Sequence, residues 1–235
     1  VKRRSIGQWL GVEGHGVSHA ERWVAALGAF LGILATAAIS AHFLTVGGTW
    51  LMVGSMGASA VLLFAVPHGQ LSQPWAATGG QMISAFVGVS CAHWIAAPVP
   101  AAACAVALAV LAMHYARCIH PPGGATALIA VIGGPDIHAL GYDYIWTPVM
   151  LNALTILAIA LAFNNLFRWR RYPAALQQHA LPARASGGVK VGREDVAHAL
   201  QQIDSPIDAT EDDLLEIIHH AESHARERMV DHHRK

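Results

Sequence analysis

WVAALGAFLGILATAAISAHF, residues 23–43, contains no charged side chain. It is as long as the roughly 20-residue helix that crosses a bilayer. It also opens a much longer block. From Trp23 to Phe167 the only formal charges are Arg117, Asp136 and Asp143, so 14 of the 15 Lys and Arg lie outside it. A water-soluble domain needs charge along its whole length. This block reads instead as a chain dissolved in lipid. The composition, 13% charged and 54% hydrophobic with zero formal net charge, averages this block with two polar ends, so it describes neither.

Outward from residues 23–43, further apolar runs follow at about 49–66, 79–97, 101–119, 124–134 and 145–167. Four of the six runs are long enough to span, the 49–66 run is marginal, and 124–134 is short. Gly and Pro punctuate them: Gly47-Gly48, Pro67-His68-Gly69 with Pro74, Pro98 with Pro100, Pro121-Pro122, and Gly133-Gly134-Pro135. Proline suits the first turn of a helix but not its interior, so Pro121-Pro122 stops the fourth run and starts the fifth. Lys2, Arg3, Arg4 and Arg22 precede the first run, and Arg168, Arg170 and Arg171 follow the last. The positive-inside rule then puts both termini in the cytoplasm, with an even number of crossings, six or four. The expected location is the bacterial cytoplasmic (inner) membrane, multi-pass, and the lipid bilayer is the first partner.

Gly57-Ala-Ser-Ala-Val-Leu62 returns 67 residues later as Gly124-Ala-Thr-Ala-Leu-Ile129. With six crossings each half has three, and the second half is inverted. Short, Gly/Pro-interrupted segments at matching places in two halves point to a transporter site. Helix N-termini bind anions through free N–H groups and the dipole. Ser59 and Thr126 would add hydroxyls there. Arg117 would add a full charge, with His114 on its helix face and His120 in the break. With no intramembrane Asp or Glu in the runs, the constellation favours a small inorganic anion over a cation. Candidate substrate-binding residues are Gly57, Ala58, Ser59, His114, Arg117, His120, Pro121, Pro122, Gly123, Gly124 and Thr126. No catalytic residue, metal ligand or cofactor is expected, and nucleic acid is excluded as a partner because no basic run with interleaved aromatics occurs. Cys91, Cys104 and Cys118 lack Cys-x-x-Cys spacing and read as small apolar thiols. Trp50, Trp75, Trp94 and Trp146 fall near run ends, as interface anchors do. Gly28, Gly32 and Ala35 form a small-residue face that permits a homo-oligomer.

The expected fold is therefore all-α: a polytopic membrane helical bundle of two inverted three-segment repeats with short or broken helices, plus a small cytoplasmic helical tail. Its expected parts are a cytoplasmic lead (1–22), the membrane domain (23–170), a linker (171–192) and a helical hairpin (193–235). In that tail Thr210 opens a helix with Asp213 in a capping-box arrangement and a stripe of Leu214, Leu215, Ile217, Ile218 and Ala221. About twenty mostly polar residues precede the first run, unlike a cleavable signal peptide.

Several of these residues also carry a resemblance. Gly57-Ala-Ser-Ala-Val-Leu-Leu-Phe64, Gln73-Pro74, Gly79-Gly80-Gln81 with Ser84, and above all His120-Pro-Pro-Gly-Gly-Ala-Thr-Ala-Leu128 resemble the HPP (His-Pro-Pro) integral membrane family over about 23–170. The resemblance implies a small multi-span membrane protein. It also brings an association of plastid and cyanobacterial relatives with nitrite transport. Bacterial relatives often continue into CBS domains, for which 171–235 is too short. The function expected is a transporter or channel for a small inorganic anion such as nitrite, rather than an enzyme. The alternatives are a membrane-embedded enzyme acting on a lipid or quinone through His114, His120 and Arg117, and a regulatory or scaffold subunit.

Overall fold

The computed structural model describes residues 17–43 and 46–176, the side chains of 46–53 excepted, and two further helical positions, Leu214 and Ile218. Residues 1–16 of the lead, 177–192 of the linker and, those two positions apart, the hairpin expected at 193–235 lie outside the described residues.

Every described element is helical: α1 (His19–Phe43), α2 (Val46–Ala65), α3 (Pro74–Trp94), α4 (Pro98–Tyr115), α5 (Pro121–Ile132), α6 (Pro135–Leu140), a π turn (Ile145–Met150) and α7 (Leu151–Asn164). Short 3-10 turns stand at Gln70–Ser72, Arg168–Arg170 and Ala174–Leu176. Pro74, Pro98, Pro121 and Pro135 each sit in the first turn of a helix. Helices therefore start three to five residues before the apolar runs beginning at 79, 101 and 124. The ring fixes φ at the helical value, and the N–H that proline lacks would have had no partner there. In the last run Thr147 adopts φ −132°, ψ 111° before Pro148, so that run is kinked rather than straight.

Three helices among the described residues are long and apolar enough to cross a membrane: His19–His42, Pro98–Tyr115 and Ile145–Asn164. The run at 79–97, expected as a fourth, falls mostly in the 21-residue α3, which ends at Trp94 and is not among them. α3 instead buries Gln81, Ser84 and four small residues of its core face (Ala76, Ala77, Gly79, Gly80) against its neighbours. Pro121–Ile132 is apolar but shorter, as is Gly54–Ala65, the part of the 20-residue α2 whose side chains are described.

Residue pairings give the helix directions. Ser55 meets Thr126 while Ser59 meets His120, so α2 and α5 run antiparallel. Gly80 approaches His120 and Gly88 approaches Ala127, so α3 and α5 run parallel. Gly28 packs on Phe163 and Ser40 on Asn152, so α1 and α7 run antiparallel. The start of α1 and the end of α7 thus share one side.

Small residues set the spacing. Gly28, Gly32, Thr36 and Ser40 recur every fourth residue and form the buried stripe of α1. A Cβ at Gly28 would stand 2.4 Å from the Phe64 ring, and one at Gly32 2.8 Å from it. The Gly28/Gly32 face, expected to suit a second copy, is therefore filled within the chain by α2 and α7. Ala101, Ala105, Ala109 and Met113 make the matching stripe of α4. The outward faces carry Trp23, Phe30, Phe86, Leu111 and Trp146, all exposed, as lipid-facing surface would.

Candidate functional site

Two buried polar regions stand out from the apolar packing. The first is central, where α2, α3 and α5 meet. Ser55, Ser59, Gln81, Ser84, His120 and Thr126 are all buried there. The Ser55 and Thr126 hydroxyls are 2.6 Å apart. Thr126 Oγ1 donates to Gln81 Oε1 at 2.5 Å, and Gln81 Nε2 donates to Ser59 Oγ at 3.2 Å. Ser59 Oγ lies 3.0 Å from His120 Nε2, and His120 Nδ1 lies 2.9 Å from the Leu71 carbonyl. The Tyr144 hydroxyl donates to Thr126 O at 3.1 Å. Ser55 Oγ also reaches Pro122 O at 3.1 Å.

Glycines bring these groups together. A Cβ at Gly80 would meet His120 Cβ at 2.6 Å and Cys118 O at 2.8 Å. One at Gly123 would meet Ser84 Oγ at 2.5 Å and Gly80 O at 3.0 Å. Only glycine lets α3 and α5 approach this closely. Gly57 and Gly124, the leading glycines of the repeated segments, face open space instead.

The predicted site divides on the structure. Ser59, His120, Pro122, Gly123 and Thr126 come together and are buried. Gly57 and Gly124 are half-buried, while Ala58 and Pro121 are exposed. His114 and Arg117 are exposed too, and the Arg117 side chain makes no hydrogen bond or ion pair to any described residue. Arg117 occupies the left-handed region at φ 54°. Its N–H bonds to His114 O at 3.1 Å, and Cys118 N–H bonds to Met113 O at 3.0 Å. This is a Schellman ending of α4 with arginine where glycine is usual. The proximity of Arg117 to His120 in sequence therefore does not translate into a charge inside the cluster.

The anion-binding helix starts are also altered. Residues 57–62 lie within unbroken α2, so Ser59 is not near a helix N-terminus. At the start of α5 two of the first N–H groups do not exist, because Pro121 and Pro122 have none, and Gly123 N–H is taken by His120 O at 2.8 Å. Side chains, not backbone N–H groups, supply the polarity.

Sequence reasoning left Ser55, Gln81, Ser84 and Tyr144 out of the site. A signal existed: Ser55 with Ser59, and Gln81 with Ser84, recur at four- and three-residue spacing inside apolar runs, which puts each pair on one helix face.

The second region lies where α1 begins and α7 ends. Glu21 and Arg170, both buried, form an ion pair. Arg170 Nη2 also donates to Asn164 Oδ1 at 3.0 Å and to Phe64 O at 2.5 Å. Trp169 Nε1 donates to Glu21 Oε2 at 2.9 Å, and Asn164 Nδ2 to Leu63 O at 3.0 Å. The last carbonyls of α2, which have no helical partner, are thus capped by an amide and a cation at the negative end of the dipole. Burial pulls Arg170 below the ordinary arginine range while Glu21 opposes that. Arg170, counted above among the topogenic charges, is a structural ion.

The geometry defines a multi-pass, all-helical membrane protein with a neutral polar centre. The model of the HPP transmembrane region matches residues 15–173, and the chain belongs to that family. Two transmembrane proteins of Dictyostelium discoideum are similar to it, one 41% and the other 38% identical over 151 residues, or 63% of this chain. Those residues cover 48% and 53% of the two relatives, so the chain spans about half the length of the curated relatives it matches. No solved structure matches it.

Proposed function

We propose that this protein is a membrane carrier for a small inorganic anion, of which nitrite is the leading candidate. The observation that carries the reading is the buried Ser55–Thr126–Gln81–Ser59–His120 cluster. A bundle in lipid gains little from such a group of polar side chains, whereas polar residues inside membranes mark solute pathways. Hydroxyls, an amide and an imidazole can turn donors toward a small anion that has shed its water, as backbone and side-chain donors do in other sites. The cluster, rather than Arg117, is the binding element. Arg117, exposed and uncompensated, acts at the mouth as a lure for anions.

An inverted repeat supports the reading. Ser55 lies 3.1 Å from Pro122 O, and these two positions differ by the same 67 residues as the two Gly-Ala-Ser/Thr-Ala segments. Residues beside a pseudo-twofold axis touch their own counterparts. The antiparallel course of α2 and α5 agrees with halves inverted across a six-crossing fold. On this reading both termini are cytoplasmic, in the inner membrane of a bacterium. Residues 23–170 form the transport domain, 1–22 a lead, 171–192 a linker and 193–235 a cytoplasmic helical hairpin. No catalysis is assigned.

The test is uptake into reconstituted vesicles from a panel of small anions, read against protein-free vesicles because nitrous acid crosses bilayers unaided. Thr126→Val and Gln81→Leu are expected to abolish protein-dependent uptake while leaving insertion intact. Wild-type rates in both variants would sink the assignment. Turnover of a lipid or quinone in detergent, without any gradient, would favour an enzyme instead.

A further inference from the structure

The hydrogen bonds of the central cluster have a direction, and it can be reversed. The Leu71 carbonyl can only accept, so His120 carries its hydrogen on Nδ1 and presents a bare Nε2. Ser59 must then donate to Nε2. With one proton per hydroxyl, Ser59 Oγ accepts from Gln81 Nε2, Gln81 Oε1 accepts from Thr126, and Thr126 Oγ1 accepts from Ser55. The chain runs from Ser55 to Leu71 O, and Pro122 O, 3.1 Å from Ser55, is left as a spare acceptor.

Adding one proton to Nε2 reverses everything beyond the ring. Ser59 becomes an acceptor and donates to Gln81, whose amide turns over. Gln81 then donates to Thr126, Thr126 to Ser55, and Ser55 to Pro122 O. Each hydroxyl, the amide oxygen and nitrogen, and both ring nitrogens keep a partner in either state. A purely structural network needs one polarity; this one has two, which differ by a proton.

We infer that His120 takes up one proton, delivered by water, together with each anion, so that the carrier moves the pair as an electroneutral unit. This rests on the anion-carrier reading above. The chain's own charges support it. α2, the 70–72 turn and α5 contribute no other ionisable side chain. α3 has only Cys91 and His93, in its last turns and about 15 Å from Gln81 along the helix axis. On α4 and the loop after it, His114, Tyr115 and Arg117 are exposed, and the buried Cys118 is a neutral thiol two residues away. Tyr144 and Tyr172 reach only the backbone, at Thr126 O and Ser72 O. An anion entering alone would find no counter-charge, and an imidazolium alone would be equally uncompensated in this apolar interior. Each favours the other, and the coupling is reciprocal.

Two measurements test it on the full chain in phosphatidylethanolamine/phosphatidylglycerol vesicles. In the first, accumulation of nitrate, which unlike nitrite has no membrane-permeant acid form near neutral pH, is followed under an imposed pH gradient or an imposed potential. Accumulation is expected to rise about tenfold per unit of outside acidification and to ignore the potential. Accumulation that follows the potential instead overturns the inference. Ser59→Ala, whatever it does to the rate, should remove the pH response.

The second measurement needs no transport, so it separates this inference from the carrier assignment. With ¹⁵N-labelled His and Gln, His120 should be the Nδ1–H tautomer at alkaline pH. The Gln81 amide resonances should shift at the same midpoint as the ring on acidification, and Ser59→Ala should uncouple them. Added nitrate should raise the midpoint. An Nε2–H tautomer, a Gln81 amide that ignores the ring, or coupling that survives Ser59→Ala overturns the relay. If wild-type uptake is absent but these signals appear, the carrier reading fails and the proton site stands.

Discussion

The Glu21–Arg170 pair and the Ser55–Thr126–Gln81–Ser59–His120 cluster are both buried, polar and long-range in sequence, yet they are built from opposite materials. The pair uses full charges, fixed by three further donors and acceptors, at the end of the bundle. The cluster uses neutral groups, each able to donate or accept, in its middle. Removing either partner of a fixed ion pair strands a charge. A chain of hydroxyls and amides can be rewired at small cost. The first arrangement suits a clamp, and the second is compatible with the carrier role proposed above. The 70–72 turn binds to both neighbouring elements: Leu71 O faces His120, and Ser72 O accepts from Tyr172 at 2.6 Å.

The contrast is broken most severely at the clamp. Glu21→Gln should cost about 3–5 kcal/mol, because Arg170 is left buried without an anion. Adding Arg170→Met should recover much of that loss. Thermal unfolding of the solubilised protein reads both, and additive losses would deny the pairing. Next comes the α3–α5 approach that shapes the cluster. Gly123→Ala forces a Cβ to 2.5 Å from Ser84 Oγ and should cost about 1–3 kcal/mol. Gly124→Ala, facing open space, should be close to neutral; equal effects at the two positions would refute the packing.

Within the cluster, Thr126→Val keeps the shape but leaves Gln81 Oε1 without its donor, for about 1–3 kcal/mol, while Thr126→Ser restores most of it. Arg117→Gly should stabilise the bundle by about 1 kcal/mol, since it relieves a left-handed arginine. If Arg117 is a lure, the same change slows uptake several-fold at low salt and little at high salt. A smaller effect appears in alkali. Burial raises the Tyr172 phenol above its ordinary value, so the folded state holds that proton longer than the unfolded chain does. Stability is full below about pH 10 and falls as the pH climbs beyond it. Tyr172→Phe should remove that part of the alkaline loss, as measured by unfolding against pH.

How much could be read beforehand follows from the range of each signal. Hydrophobic runs marked the helices because burial in lipid acts residue by residue. Prolines marked their starts, since ring geometry is local, although it was Pro74 and Pro98 that moved those starts earlier than hydropathy implied. The repeated segments are linked only indirectly: Ser55, two residues before the first, bonds Thr126, and Ser59 reaches Thr126 through Gln81. Glu21 gave no hint of Arg170, because a contact across 149 residues leaves no mark on either neighbourhood. Gln81 enters the resemblance only as part of the Gly79-Gly80-Gln81 motif, without a role, and the parallel course of α3 and α5 brings it to Thr126. Arg117 misled for the same reason in reverse: three residues from His120, it is turned out by the Schellman ending.

The glycine contacts of α3 carry a mechanical consequence. At Gly80, Gly88 and Gly123 the two backbones lie so close that not even one methyl group could be interposed. α3 and α5 therefore behave as a single welded slab, unable to slide or part without tearing main chain from main chain. α2 carries Gly54 and Gly57 toward empty space and meets α3 and α5 through apolar side chains such as Met56 and Leu63 as well as through hydroxyls and an imidazole.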